Sequence, residues 1–454
     1  MRFDPDNLPP RVAPGRVAYI NARLIDPATG LDAPGAVLTD GETIADFGPR
    51  LFNDPDLFEN RVPEGIEVVD CAGLCLTPGL VDIRVQLREP GEEYKETLLT
   101  AGRAATAGGV TTMVCLPNTQ PVIDDVSVVE YVARRARKIG LAKVYAYAAI
   151  TKQLEGKELA EIGLLAEAGA LAFTDGVKTV ADAKVMLRAM SYAATFDQLI
   201  IQHAEEPSLA SGGAMNSSET AARLGLTGIL PEAEIVIVDR DIRLAARTGA
   251  RLHFAHLSTA EALDSVRQAK QRGLPITCDT APFYFALNET AIGDYRTFAK
   301  LSPPLRAEAD RQAVVAALVD GTIDAIASDH APQDQDAKRV PFAQAAFGGV
   351  GLESLLPVSL ELYHNGFLTL PRLLNLLSAA PARLLGLEAG RLVRGAPADL
   401  MLFDAECGWR FDTDLLLSKS KNSPFDGRPV QGRVAHTVID GRTVFSRQPA
   451  AQSS

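Results

Sequence analysis

Between residues 78 and 330 the chain repeats one texture, a short apolar run followed by a longer segment of helical period. The apolar runs fall at 80–87, 110–116, 143–150, 171–175, 198–204, 251–257, 275–280 and 323–329. Each is strand-length and mostly apolar, the pattern of strands buried on both faces. Helical patterns lie near 95–108, 125–139, 157–169, 181–195, 232–248, 259–272 and 307–319. Eight apolar runs with seven helical segments between them predict an α/β fold, a parallel sheet closed into a (β/α)8 barrel over residues 78–388. The flanks differ. Residues 16–77 read as short strands broken by turn signals such as PATG, and the same texture returns over 389–446 in GRLVRGAPADLMLFD and GRVAHTVIDGRTVF. Neither flank is long enough to bury a core alone, so the two are expected to pair into one small composite β domain. Residues 1–15, rich in Pro and Asp, are expected as a loose arm, and 447–454 as a tail.

Bulk properties narrow the function. A 454-residue chain with 47% hydrophobic and 22% charged residues fits an ordinary soluble globular protein. Its net charge of −12 argues against nucleic-acid binding, because no basic stripe is available to displace counterions. No apolar run is long enough to span a membrane, and the first residues lack the apolar core of a signal peptide. The five cysteines (71, 75, 115, 278, 407) are scattered and odd in number, as expected of neutral thiols in a reducing cytoplasm.

In a barrel of this kind the reactive groups sit at the C-terminal ends of the strands. Strand one ends with Asp82, Arg84, Gln86 and Arg88. Asn118 follows strand two, Asp175 ends strand four and His203 strand five. His253 and His256 mark strand six, Asp279 strand seven, and Asp329 and His330 strand eight. Four of the six histidines therefore lie at strand ends, beside carboxylates, and imidazole with carboxylate is the donor set of zinc hydrolytic sites. His253 lies three residues before His256, so alternation turns it away from the mouth, toward a core or an interface. Arg88 is suited either to a bidentate grip on a carboxylate or to a structural ion pair, and Asn118 either to an amide contact or to a turn.

Several segments together resemble the dihydroorotase family of the amidohydrolase superfamily. They include TPGLVD, QLREPGEEYKET, AGGVTTMVCLPNTQPVID, GAMNSSETAARLGLTGILPEAE, FAHLST, SPPLR, SDHAP, FGGVGLES and SKSKNSPFDG, and they run from about residue 16 to 446. LREPG and PNT separate dihydroorotases from hydantoinases. The resemblance implies a metal-hydrolase barrel with a small β domain, acting on dihydroorotate and N-carbamoyl-aspartate in pyrimidine synthesis. It implies metal ligands at Asp175, His203 and His256, a catalytic Asp329, and substrate contacts from Arg88 and Asn118. The family's first-strand histidine pair, however, falls on Arg84 and Gln86. Further departures stand at Phe283 and Tyr284, where the family often has PHH and this chain Pro282, Phe283 and Tyr284, at Ser302 and at Gln333, all near the mouth.

Arginine cannot deprotonate to become a ligand and glutamine is a poor one for zinc. Zinc is therefore expected at one site at most, or not at all, and Arg84 is expected to pair with Asp175, Asp329 or both. The foremost expectation is a catalytically impaired chain that supports aspartate carbamoyltransferase, in a homo- or hetero-oligomer. One variant is a sensor that binds dihydroorotate or N-carbamoyl-aspartate without turnover. The alternative is an active dihydroorotase with a single metal at Asp175, His203 and His256 and Asp329 as general base. A related cyclic-amide hydrolase with another substrate is the third reading, and LREPG argues against it.

Overall fold

Residues 15–52 and 62–447 are described by the computed structural model of the chain. Nearly all of the expected N-terminal arm and C-terminal tail lies outside the described residues.

The N-terminal flank forms β1 (Arg16–Asp26), β2 (Leu31–Asp40), β3 (Thr43–Gly48), β4 (Glu67–Asp70) and β5 (Cys75–Pro78). The barrel follows with β6 (Leu80–Val85), β7 (Val110–Cys115), β8 (Lys143–Ala146) and β9 (Ile200–His203). A short parallel pair, β10 (Met215–Asn216) and β11 (Gly228–Ile229), interrupts it. It resumes with β12 (Leu252–Ala255), β13 (Ile276–Thr280) and β14 (Ala325–Ile326). The C-terminal flank gives β15 (Leu400–Arg410), β16 (Pro429–Ile439) and β17 (Arg442–Ser446).

Barrel neighbours pair in parallel, β6 with β7 and β7 with β8, then β9 with β12, β12 with β13 and β13 with β14. The fourth run contracts to Phe173, which bridges Ala148 on one side and Ile200 on the other. Past it Asp175 bonds sideways and Gly176 turns the chain at φ +71°, so no longer ladder can form there. A parallel bridge between Val85 and His330 closes the circle.

Alternation along the strands separates two apolar layers. Leu80, Val85, Met113, Cys115, Ile200 and Phe254 pack outward with the helices. Val81, Ile83, Val114, Leu116, Ile201 and Ala327 belong to the opposite face, with Tyr147, and are closed off by Ala382 and Leu385. The helix Val126–Ile139 shows how the surrounding ring is built. Val128, Val129, Val132, Ala136 and Ile139 fall on one buried face. Asp125 caps its start by accepting from the Ser127 N–H, and Gly140 ends it at φ +67°.

The two flanks share a single sheet, in the order β17-β16-β15-β5-β1-β2-β3, with β4 also on β1. β5 is the seam, antiparallel to β15 and parallel to β1. It leads directly into β6, so the strand that joins the flanks also delivers the first barrel strand and its polar residues.

Candidate functional site

Three residues of the mouth carry left-handed backbone although none is glycine: Arg88 at φ +61°, His256 at +43° and Asp329 at +48°. Such conformations cost free energy and persist where the surroundings impose them, commonly at functional sites. All three stand just past the ends of barrel strands, and Arg88 and Asp329 line a cavity of about 360 Å³ with Gln86, Asn118, Glu205 and Gln333 among others.

The floor of this mouth is held by Arg84, which is only 2% exposed. Its Nε donates to Asp329 Oδ1 at 2.9 Å and its Nη2 to the Gly176 carbonyl at 3.3 Å. The other Asp329 oxygen lies 3.2 Å from His256 Nδ1, off the line of a hydrogen bond. Burial pushes the Asp329 carboxyl upward, but His256 and Arg84 outweigh it and hold it below the ordinary carboxylate range. His256 Nε2 and His203 Nδ1 share a hydrogen bond of 2.8 Å. Burial, with His256 and Arg84 nearby, pulls His203 far below the usual imidazole value, so it stands neutral. The floor is thus a chain of contacts, Arg84 to Asp329 to His256 to His203.

Asp175 takes no part in that chain. Its Oδ1 accepts from the Ile150 and Thr151 N–H groups at 3.0 and 2.9 Å, and its Oδ2 accepts from the Thr151 hydroxyl. Of the two carboxylates expected as partners of Arg84, the structure pairs it with Asp329 and not with Asp175. Gln86 is spent differently again, its Oε1 accepting from Asn118 Nδ2 at 3.0 Å.

These residues do not fit a metal ion in this arrangement. Both Asp175 oxygens are committed to the protein, the facing imidazole nitrogens are committed to each other, and a fixed guanidinium lies against Asp329, so that of the expected ligands only His203 Nε2 and His256 Nδ1 keep an uncommitted nitrogen. Among the described residues no group of three or more His, Cys, Asp and Glu side chains is placed to hold one.

The wall is more open. Arg88 donates from Nε to the Pro332 carbonyl at 3.2 Å and from Nη1 to Glu92 at 2.8 Å, and its Nη2 makes no hydrogen bond. Gly91 lets this loop dock on the one bearing Asn118, since a Cβ there would stand 2.3 Å from the Gln120 carbonyl oxygen. Gln333 donates to the Phe347 carbonyl at 2.8 Å, while its Oε1 is buried without a partner. Of the other departures, Phe283 stacks on Phe425 at 5.4 Å between ring centroids. Tyr284 packs edge-on to His256 and donates to the Pro303 carbonyl at 3.1 Å. Aromatic packing therefore stands behind the floor.

Two strand-end histidines are structural. His253 is fully buried, bonded to Thr277 and Asp279 at 2.8 Å each, and the other Asp279 oxygen accepts from the His256 N–H. His330 turns from the mouth, its Nδ1 accepting from the Gly351 N–H at 3.2 Å.

Reasoning from sequence missed several supports. Asn422 receives the Gln333 N–H and donates to the Ala331 and Gly348 carbonyls, fixing the loop over the mouth. Glu234 accepts from four donors, the N–H and hydroxyl of both Ser258 and Thr259, and Arg306 ties Ser258 to Asn216. The segments SKSKNSPFDG, PEAE and SPPLR carried these residues, but their local spacing held no sign of the partners. Glu205 lines the mouth with its carboxyl pushed up by burial.

Comparison with known proteins decides the family. A family model described as dihydro-orotase-like matches residues 73–262. The dihydroorotase of Anaplasma phagocytophilum is 48% identical, over 94% of this chain and 95% of its own length. That of a Wolbachia from Brugia malayi is 46% identical over 95% and 96%. The chain belongs to the dihydroorotase family. Solved structures of hydantoinases carry the same fold. The L-hydantoinase of Arthrobacter aurescens superposes with a TM-score of 0.82 at 23% identity, covering 95% of this chain and 96% of its own. The dihydropyrimidinase of Brevibacillus agri gives 0.80 at 23% identity, covering 95% of each. This dihydroorotase-family chain thus combines the cyclic-amide hydrolase scaffold with a floor bound up in protein contacts.

Proposed function

We propose that this chain is a catalytically impaired or non-catalytic dihydroorotase-family protein of pyrimidine synthesis. In this reading it takes dihydroorotate or N-carbamoyl-aspartate at the barrel mouth and serves as a supporting subunit for aspartate carbamoyltransferase. The observation that carries the reading is the ion pair of Arg84 with Asp329. Hydrolysis of a cyclic amide needs an electrophile to polarise the carbonyl, an activated water and a base free to move protons. Here the residue proposed as base has one oxygen on a guanidinium and the other against His256, and the pair where a ligand set is expected is Arg84 and Gln86. The substrate half of the reading rests on Arg88 Nη2 and on Asn118, which line the cavity where a carboxylate would enter. The partner half rests on the family resemblance, in which chains lacking the histidine pair support the carbamoyltransferase.

The retention of Arg88 and Asn118 in the mouth also favours a second reading. It is an active dihydroorotase with a single zinc at Asp175, His203 and His256, and Asp329 as general base. Turnover separates the two. The purified chain is given dihydroorotate, and separately N-carbamoyl-aspartate, with zinc supplied, beside an Asp329→Asn control. The proposal expects both proteins to give the same background. Turnover that vanishes in the control establishes the second reading. Co-expression with an aspartate carbamoyltransferase followed by size exclusion tests the partner, with a shared peak expected and separate peaks against it.

A further inference from the structure

We infer that Arg84 is the built-in cation of this barrel, its guanidinium holding the first, fourth and eighth strand ends together so that the mouth keeps its form with no metal bound. The inference deepens the reading of the mouth given above and rests on its assignment of Asp329 as a paired rather than a working carboxylate.

A buried carboxylate needs a positive or hydrogen-bonding partner on each oxygen. Asp329 has Arg84 Nε on one oxygen at 2.9 Å and the His256 ring at 3.2 Å from the other. Asp175 is satisfied without any cation, by two backbone N–H groups and the Thr151 hydroxyl. Asp175 needs no ion, and the Arg84 guanidinium already supplies a counter-charge for Asp329. The guanidinium also reaches the Gly176 carbonyl at 3.3 Å, so one side chain from β6 spans to the loop after the fourth strand and to the residue after the eighth. A divalent ion brought to Asp329 would meet a charge that cannot be neutralised by losing a proton, in a site only a few per cent exposed where screening is weak. His203 and His256 have turned their facing nitrogens to each other at 2.8 Å, and a ligand role for those two nitrogens would cost that bond, which leaves only His203 Nε2 and His256 Nδ1 uncommitted.

The test measures metal content and thermal stability of the full chain. Protein purified without added metal, and again after incubation with zinc and desalting, is analysed for zinc, iron, cobalt and manganese. Its Tm is then recorded with and without a strong chelator. The inference expects well under one equivalent of any metal and no chelator-dependent change in Tm. Arg84→Met should lower Tm by roughly 5–10 °C, since it strands a buried carboxylate. Arg84→Met combined with Asp329→Asn should recover part of that loss, because the stranded charge is gone. Should Arg84→Met fail to fold, Arg84→Lys keeps the charge with a poorer reach and is expected to fall between it and the parent. A stoichiometric metal whose removal lowers Tm would overturn the inference, and so would a double variant as unstable as the two single losses summed. The two readings fail separately. Turnover by metal-free protein would sink the non-catalytic assignment and leave this inference standing, whereas bound zinc in an inactive protein would do the reverse.

Discussion

The floor and the wall of the barrel mouth lie side by side and are built on opposite terms. On the floor, Arg84, Asp329, His256, His203 and Asp175 spend most of their polar atoms on one another and on the backbone, with His203 Nε2 and His256 Nδ1 buried without a hydrogen bond. On the wall, Arg88 keeps Nη2 free and Gln333 keeps a buried oxygen without a partner, both beside a cavity large enough for a small acid. The difference teaches that recognition and reaction are separable in this scaffold. Polar atoms already satisfied inside the protein give stability, whereas polar atoms left open toward a cavity give binding.

Substitutions should read out that division. The largest effect is expected on the floor. Asp329→Asn leaves the Arg84 guanidinium buried without its counter-charge and should cost about 3 kcal/mol, measured by urea unfolding. On the wall, Arg88→Met loses the bonds to Glu92 and to the Pro332 carbonyl and should cost about 1–2 kcal/mol, less than Asp329→Asn. It should weaken binding of N-carbamoyl-aspartate roughly 10- to 100-fold by calorimetry, the worth of one charged hydrogen-bonding group. A stability loss at Arg88 as large as that at Asp329 would erase the distinction. Gln86 sits on the border, and Gln86→Met, which removes its bond to Asn118, should cost about 1 kcal/mol.

The smallest effect is in pH. Asp82 lies beneath the floor, fully buried, with one oxygen accepting from the Arg84 and Ser328 N–H groups and the other without a partner. Burial is the main cause that raises its carboxyl to about 6. Between the ordinary carboxylate value and about 6 the folded chain holds a proton there that the unfolded chain has lost. Stability from this residue is therefore present below that window and falls as pH rises through it. Asp82→Asn should flatten that fall in a series of urea midpoints, and an unchanged slope would place the titration elsewhere.

Much of the architecture was legible in the sequence because hydrophobic period reports directly on strand and helix. All eight apolar runs find places in the barrel wall, and the helical segment read at 232–248 is the helix Glu232–Thr248. The fourth run kept only Phe173 as a pairing residue, because ladder length depends on neighbours that no local pattern encodes. At the site, the substitution of Arg84 and Gln86 was plain from the residues themselves. Which acid Arg84 would choose was not. Asp175 is claimed by the backbone of Ile150 and Thr151, a contact set by how the third strand end lies against the fourth. Asn422 and the Glu234–Arg306 cluster escaped for the same reason, since their partners come from distant segments that meet only in the closed barrel.

The most direct test of the division between floor and wall is a titration of dihydroorotate into the purified chain, once with zinc and once with a chelator, scoring heat of binding and product together. The account predicts saturable binding of equal strength in both, with no N-carbamoyl-aspartate formed above buffer. Product that forms with zinc, stops with the chelator and is absent from Asp329→Asn would contradict it, and would mean that the floor opens to a metal and works.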